Sequence, residues 1–136
     1  MAEKIRVLFV CVENSCRSQM AEGFANKLGK GKIEVFSAGS HPSGTVDSKA
    51  IAVMKEVGID ISRQKSKGFE NIAYPEFDYV ITLGCMDVCP FFPSKEEIVW
   101  QIDDPKGRSI EEFRKARDQI RLKVKELISK IELGDI

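Results

Sequence analysis

The stretch VLFVCVENSCRS, residues 7–18, decides the fold of this chain. It begins inside an apolar run, Ile5 to Val10, which is typical of a parallel strand covered on both faces. Short polar residues follow, and apolar residues then recur at helical spacing over residues 20–28 until Gly29 and Gly31. The stretch therefore predicts a strand, a tight polar turn and a helix.

The same alternation continues towards the C-terminus. Further strands are predicted at Ile33–Phe36, Tyr79–Leu83 and Ile98–Ile102. A second helix is predicted over residues 46–57, and a last helix starts at Ser109, which forms an S-x-x-E capping box with Glu112. Residues 59–77 are less regular, with room for one short helical turn. Strands that alternate with helices predict an α/β fold, an open parallel sheet with helices on both faces.

Composition excludes several classes of protein. The chain has 136 residues, enough for one domain, 1–136, with a buried core. Because 21 basic residues balance 21 acidic ones, a general nucleic-acid binder is disfavoured. No apolar run approaches the ~20 residues of a membrane helix, and Val7–Val12 is too short for a signal peptide. We expect a cytoplasmic monomer with neither nucleic-acid nor membrane partners.

The predicted turn after the first strand carries the residues of an oxyanion site. Cys11 and Arg17 are separated by five residues, and the backbone N–H groups between them can point into one concavity at the positive end of a helix. Arg17 can hold two anion oxygens, and the same field stabilises the thiolate of Cys11 as a nucleophile. A small buried apolar cysteine is the alternative. The predicted oxyanion-binding residues are Cys11, Val12, Glu13, Asn14, Ser15, Cys16, Arg17 and Ser18.

Two more segments follow predicted strands and are expected at the same edge of the sheet, residues 84–90 and 103–105. Within the second, the carboxyl group of Asp104 can protonate a leaving oxygen. The sequence Asp103-Asp104-Pro105 is also a common turn, which is the alternative interpretation.

These residues resemble the low-molecular-weight protein tyrosine phosphatase superfamily, and within it the thioredoxin-coupled arsenate reductases. The resemblance lies in five stretches and a cysteine pair: Val7–Cys11, Asn14–Glu22, Ser37–Gly39, Gly58–Ser62, Asp103–Pro105, and Cys85 with Cys89. It implies a low-molecular-weight phosphatase-like sheet of strand order 2-1-3-4. It also implies that Cys11 is the nucleophile, Arg17 binds the oxyanion and Asp104 is the acid, while Asn14 and Ser18 brace the loop.

The resemblance further implies a relay of three cysteines that reduces arsenate to arsenite. Cys11 attacks arsenate, and Cys85 then attacks Cys11, which releases arsenite and leaves a Cys11–Cys85 disulfide. Cys89 attacks Cys85 in turn, and thioredoxin reduces the resulting Cys85–Cys89 disulfide. Thiolate exchange of this kind needs access and a good leaving thiol. A glutaredoxin-type donor stays open as the reductant.

This chain departs from its relatives at three places near the site. Cys85 and Cys89 are separated by only three residues, a shorter gap than these reductases usually have. Some relatives bind a potassium ion where Lys65 and Lys67 stand here, so a lysine ammonium is expected in place of the ion and no cofactor is expected. Tyrosine phosphatases carry aromatic residues after the Asp-Pro pair, whereas Lys106 and Gly107 follow it here. A stacking wall for phosphotyrosine is therefore not expected.

Other interpretations of the cysteines remain. Cys11, Arg17 and Asp104 would suffice for a phosphomonoester or protein phosphatase that works through a Cys11 phosphoenzyme. The gaps between Cys11 and Cys16, and between Cys85 and Cys89, also fall within zinc-ligand spacings. Cys16 is either a second redox partner for Cys11 or a packing residue. Glu13 faces either the anion or solvent, and His41 is interpreted as a surface residue.

Overall fold

The structure, a computed structural model, describes residues 4–72, 76–83 and 94–133. At its centre lies a four-stranded sheet of β1 (Ile5–Cys11), β2 (Ile33–Gly39), β3 (Phe77–Thr82) and β4 (Ser94–Val99). The strand order is β2-β1-β3-β4, and every neighbouring pair is parallel. The predicted open parallel sheet and its order are confirmed.

The helices come between and after the strands. They are α1 (Arg17–Leu28), α2 (Ser48–Glu56) and α3 (Ile110–Glu132), with a single 3₁₀ turn at Phe69–Asn71. The 3₁₀ turn is the one short helical turn expected between residues 59 and 77. Among the described helices, none is both long enough and apolar enough to cross a membrane.

Strand β1 is central because both of its faces are apolar. Val7 and Phe9 belong to the main core cluster, which also takes in the buried faces of α1, α2 and α3. Leu8 and Val10 point to the other face and pack in a second cluster, with Phe69 of the 3₁₀ turn against it. In the described ranges the three α-helices thus share one face, and the 3₁₀ turn covers the other. Both faces are covered, as predicted, but only one of them by α-helices.

Two details of the prediction were wrong. Strand β4 begins at Ser94 and ends at Val99, whereas the apolar run had suggested Ile98–Ile102. An edge strand needs only alternate residues against the core, so Ser94–Val99 alternates between half-buried and exposed. Trp100 and Ile102 are buried but follow the strand.

The second detail is the capping box at the start of α3. Ser109 is the N-cap residue, but its side chain makes no capping hydrogen bond. The backbone N–H of Glu112 donates instead to the carbonyl oxygen of Ser109, at 3.1 Å. The helix start was therefore correct, and the proposed side-chain exchange was not.

Candidate active site

The segment from Cys11 to Ser18, here called the anion loop, joins the end of β1 to the start of α1. Cys11 is the last residue of β1 and is only 3% exposed. Within the described ranges, the backbone N–H groups of residues 13–18 donate to no carbonyl or side chain. Because such groups at a helix N-terminus favour negative charge, the loop has the donors that a tetrahedral oxyanion requires.

Asn14 holds the loop in its shape. It has φ of 51°, in the left-handed region that residues with a Cβ seldom adopt. Its Oδ1 accepts hydrogen bonds from Gln19 Nε2 at 2.9 Å and from the backbone N–H of Lys67 at 2.8 Å. Its Nδ2 donates to Ser18 Oγ at 2.7 Å. These three bonds stabilise the unusual backbone of a fully buried residue.

The hydrogen bond from Asn14 continues through Ser18 to the sulfur. Ser18 Oγ lies 2.8 Å from Cys11 Sγ, and both residues are buried. A thiolate has no proton to give, so in that state Ser18 donates to the sulfur while it accepts from Asn14. A donor that is itself polarised stabilises the anion more strongly. The predicted bracing of the loop by Asn14 and Ser18 matches this geometry.

The end of β2 lies very close to the anion loop. A Cβ placed on Gly39 would lie 2.5 Å from the carbonyl oxygen of Val12 and 2.8 Å from the nitrogen of Asn14. Only glycine therefore lets the end of β2 approach so closely.

Gln19 and Gln64 form a second support that sequence reasoning missed. Gln19 is fully buried, and its Nε2 also donates to the Lys65 carbonyl at 2.8 Å. Gln64 Nε2 in turn donates to Gln19 Oε1 at 2.7 Å. Gln19 lies within the stretch that carried the resemblance. It could have been recognised from the sequence as a polar residue on the helix face that was predicted to be apolar.

Arg17 joins the anion loop to the segment after β4. It is 6% exposed; Nη1 donates to the Ile102 carbonyl at 2.9 Å, and Nη2 lies 3.5 Å from Asp104 Oδ2. Its Nε is buried and has no hydrogen-bond partner among the described residues. A buried donor without a partner is costly, and an oxyanion in the loop is a partner that would satisfy it.

Asp104 lies at the mouth of the loop. Its side chain is 48% exposed, and Oδ1 accepts a hydrogen bond from the Lys106 backbone N–H at 3.1 Å. The structure thus brings Cys11, Arg17 and Asp104 to one edge of the sheet, as the positions of the strand ends predict.

Lys67 places an ammonium group beside the loop. Its Nζ lies 2.7 Å from the Lys65 carbonyl oxygen, 3.3 Å from Ser37 Oγ and 3.5 Å from Glu22 Oε1. Ser37 also donates a hydrogen bond to Glu22. These oxygens surround the Lys67 ammonium, which is a cation. No group of three or more His, Cys, Asp or Glu that could hold a metal occurs in the described ranges.

Cys16 is a packing residue. It is 3% exposed and belongs to the main core cluster, and Ser15 Oγ lies 3.7 Å from its sulfur. Burial raises the pKa of its thiol to about 12. A thiol that stays protonated is a poor nucleophile, so of the two interpretations of Cys16 the structure favours packing.

The structure also shows the surroundings of Glu13 and His41, the other two side chains that the sequence analysis discussed. Glu13 forms an ion pair with Lys106 and so turns towards that residue. His41 is exposed, as expected, while its backbone N–H donates to the Val12 carbonyl at 2.8 Å.

Cys85 and Cys89 lie outside the described residues, and with them the predicted disulfides Cys11–Cys85 and Cys85–Cys89. The described chain reaches Leu83, whose backbone N–H donates to the carbonyl oxygen of Val10 at 2.8 Å. Leu83 is therefore paired with the residue that precedes the nucleophile.

Comparison with known proteins places this geometry in a family. The sequence pattern described as "Low molecular weight phosphotyrosine protein phosphatase" matches residues 6–134. The chain belongs to this phosphatase family. The match spans the anion loop, Asp104 and all four strands apart from Ile5, the first residue of β1.

Individual relatives share most of the chain's length. A "Glutaredoxin arsenate reductase" from Synechocystis sp. is 50% identical over 129 residues, covering 93% of this chain and 98% of the relative. A solved "arsenate reductase in the phosphate binding state" is 48% identical, with a TM-score of 0.84 and coverage of 93% and 98%. A "thioredoxin-dependent arsenate reductase" from Corynebacterium glutamicum is 31% identical, with a TM-score of 0.78, covering 98% of this chain and 65% of that one.

Proposed function

We propose that this member of the phosphatase family is an arsenate reductase. The observation that carries the proposal is the environment of Cys11. Its sulfur lies 2.8 Å from Ser18 Oγ at the base of a loop with free backbone donors, and Arg17 Nε is buried without a partner among the described residues. The names of relatives at up to 50% identity favour arsenate as the anion.

In the first step, the Cys11 thiolate attacks the arsenic atom of arsenate. An S–As bond forms and one As–O bond breaks; the departing oxygen takes a proton from Asp104 and leaves as water. Arg17 and the backbone N–H groups of the anion loop hold the remaining oxygens and stabilise the charge that develops on them. The position of Asp104, half-exposed at the mouth of the anion loop, supports this role.

Reduction takes place in the second step. Cys85 attacks the Cys11 sulfur, an S–S bond forms, and the electron pair of the S–As bond goes to arsenic. Arsenic(V) becomes arsenic(III) and leaves as arsenite, while the two thiols together lose two electrons. Cys89 then attacks Cys85 and frees Cys11, which leaves a Cys85–Cys89 disulfide.

An external thiol donor must reduce that disulfide. We propose thioredoxin, which the name of the Corynebacterium glutamicum relative supports. The name of the Synechocystis relative supports glutaredoxin instead, at higher identity. Both donors belong to reducing compartments, which agrees with a cytoplasmic site of action.

We also propose that Lys67 takes the place of a potassium ion. Its ammonium lies among the oxygens of Lys65, Ser37 and Glu22, and its backbone N–H holds Asn14. Lys67→Met should lower the midpoint of thermal unfolding by a few degrees, as expected for about 1 kcal/mol. The midpoint of the unaltered protein should be equal in sodium and potassium chloride; a higher midpoint in potassium would contradict the proposal.

A phosphomonoester phosphatase is the second candidate, because Cys11, Arg17 and Asp104 suffice for ester hydrolysis and the family pattern is that of a phosphatase. The two functions separate at Cys85. Arsenate-dependent NADPH oxidation should occur with thioredoxin and thioredoxin reductase, or with glutathione, glutaredoxin and glutathione reductase. It should vanish in Cys85→Ser and persist in Cys16→Ser. Full turnover in Cys85→Ser would remove the relay, and efficient aryl phosphate hydrolysis without arsenate turnover would favour the phosphatase.

A further inference from the structure

Lys106 connects the segment after β4 to the anion loop. Its Nζ forms an ion pair with Glu13 of the loop and lies 3.4 Å from Ser15 Oγ, also in the loop. Its backbone N–H donates to Asp104 Oδ1. One residue therefore contacts both the anion loop and the carboxylate proposed as the acid.

Both ends of this ion pair are fixed by backbone structure. Lys106 lies in a tight turn closed by a hydrogen bond from the Arg108 N–H to the Pro105 carbonyl at 2.9 Å, with Gly107 at φ of 79°. The carbonyl of Glu13 accepts from Ser66 Oγ at 2.9 Å and from the Ser43 N–H at 3.1 Å. The pair is thus held in place before any ligand arrives.

The charge on Lys106 is stable as well. The hydrogen bond with Glu13 raises the pKa of the ammonium above its ordinary value, with further attraction from Glu13 and Asp47. Both side chains are partly exposed, at 37% and 40%, so the ion pair adds little to folding. The ion pair matters instead because it lies at the rim of the site, where it can affect which ligands enter.

We propose that the Lys106–Glu13 ion pair is a specificity device that closes the mouth of the anion loop to substituted oxyanions and admits small inorganic ones. The inference rests on the proposed function. In an in-line attack by Cys11, the leaving oxygen lies opposite the sulfur, towards Asp104 and the mouth. Arsenate carries only hydrogen on that oxygen, whereas an aryl or peptide phosphate carries a large group that must pass between the two joined segments.

The test compares binding of inorganic phosphate and phenyl phosphate, measured by how well each protects Cys11 from iodoacetamide. The variants are Lys106→Met, Glu13→Gln and the charge swap of Glu13→Lys with Lys106→Glu. Lys32→Met is the matched control, since it removes a lysine paired with Glu132 next to the amino end of β2. Thermal unfolding confirms that each variant is folded, and kcat and KM for arsenate are measured beside the binding constants.

The unaltered protein should prefer phosphate to phenyl phosphate. Lys106→Met and Glu13→Gln should each reduce that preference by about fivefold, as expected for one partly exposed ion pair. The charge swap should restore it in part, and Lys32→Met should leave it unchanged. An unchanged preference in both single variants would overturn the proposal, as would a change in Lys106→Met alone. Failure of phosphate itself to protect Cys11 would instead overturn the proposed function.

Discussion

Ser18 Oγ lies 2.8 Å from the sulfur of Cys11 and accepts a hydrogen bond from Asn14 at 2.7 Å. This chain of two hydrogen bonds runs from a buried amide to the nucleophile, inside a loop whose one acidic residue, Glu13, turns towards Lys106. Through this chain the protein itself, and not solvent, supplies a hydrogen-bond donor to the Cys11 thiolate.

Ser18→Ala should therefore slow alkylation of Cys11 by iodoacetamide at neutral pH by about 10- to 100-fold, because a hydrogen bond to a charged group contributes about 1.5–3 kcal/mol. Peptide mass mapping would separate Cys11 from the other thiols. Ser129→Ala, an exposed serine on α3, is the matched control and should not change the rate. An equal rate in Ser18→Ala would show that the hydroxyl does not support the thiolate.

Asn14 should be important for stability as well as for the site. Asn14→Ala removes three hydrogen-bond contacts and leaves a Cβ in the left-handed region, which should cost about 2–4 kcal/mol in the free energy of unfolding. Asn14→Gly loses the same side-chain bonds without the backbone strain, so it should cost about 1 kcal/mol less. Urea denaturation measures both. Equal losses would mean that the backbone conformation carries no strain.

Arg17→Lys should weaken oxyanion binding even though it keeps the positive charge. A lysine cannot both donate to the Ile102 carbonyl and present a second donor to the anion in the fixed geometry of a guanidinium. We expect the dissociation constant for inorganic phosphate to rise about 10- to 100-fold, the effect of one or two charge-assisted hydrogen bonds. Isothermal titration calorimetry measures it, with Arg108→Lys as the control. Binding as tight as in the unaltered protein would contradict the role of the guanidinium.

Helices α2 and α3 are joined by an ion-pair cluster with a pH signature. Hydrogen bonds from Arg114, and next from Arg117, lower the pKa of Glu56 from the ordinary 4.5 to about 2. A carboxylate with a lowered pKa stabilises the folded state fully above the unfolded value and loses that contribution as the pH falls towards the folded value.

Glu56→Gln should accordingly be less stable than the unaltered protein at pH 7, and the difference should shrink between about pH 4.5 and pH 2. Urea denaturation at a series of pH values measures this difference. Glu126→Gln, an exposed residue of α3, serves as the control. A difference that stays constant down to pH 2 would rule out Glu56 as its source.

Sequence patterns were sufficient for the architecture because β1 is apolar on both faces and the helices alternate with the strands. They misplaced β4 because an edge strand has one solvent face: Lys95 and Glu97 are exposed there, and the apolar pattern continues beyond it to Trp100 and Ile102. An apolar pattern predicts which residues are buried but not where a strand ends, because residues just after a strand can be buried too.

The spacing of residues and the family resemblance were enough to predict the main residues of the site but not the side chains that support them. Cys11 and Arg17 follow β1 and Asp104 follows β4, and a parallel sheet brings those two strand ends to the same edge. The roles of Gln19 and Gln64 and the ion pair of Glu13 with Lys106 could not be predicted, since each joins residues more than forty positions apart in the chain, through side-chain geometry. Likewise, only the burial of Cys16 in the structure showed that it is a packing residue and not a second redox partner.

The most direct test of the account is to map disulfides by mass spectrometry in the reduced protein before and after a single turnover with arsenate, without an external thiol donor. The three-cysteine relay requires free thiols before arsenate, a Cys85–Cys89 disulfide afterwards, one arsenite released per chain, and a trapped Cys11–Cys85 disulfide in Cys89→Ser. Release of arsenite with Cys85 and Cys89 still reduced, or a disulfide between Cys11 and Cys16, would contradict it.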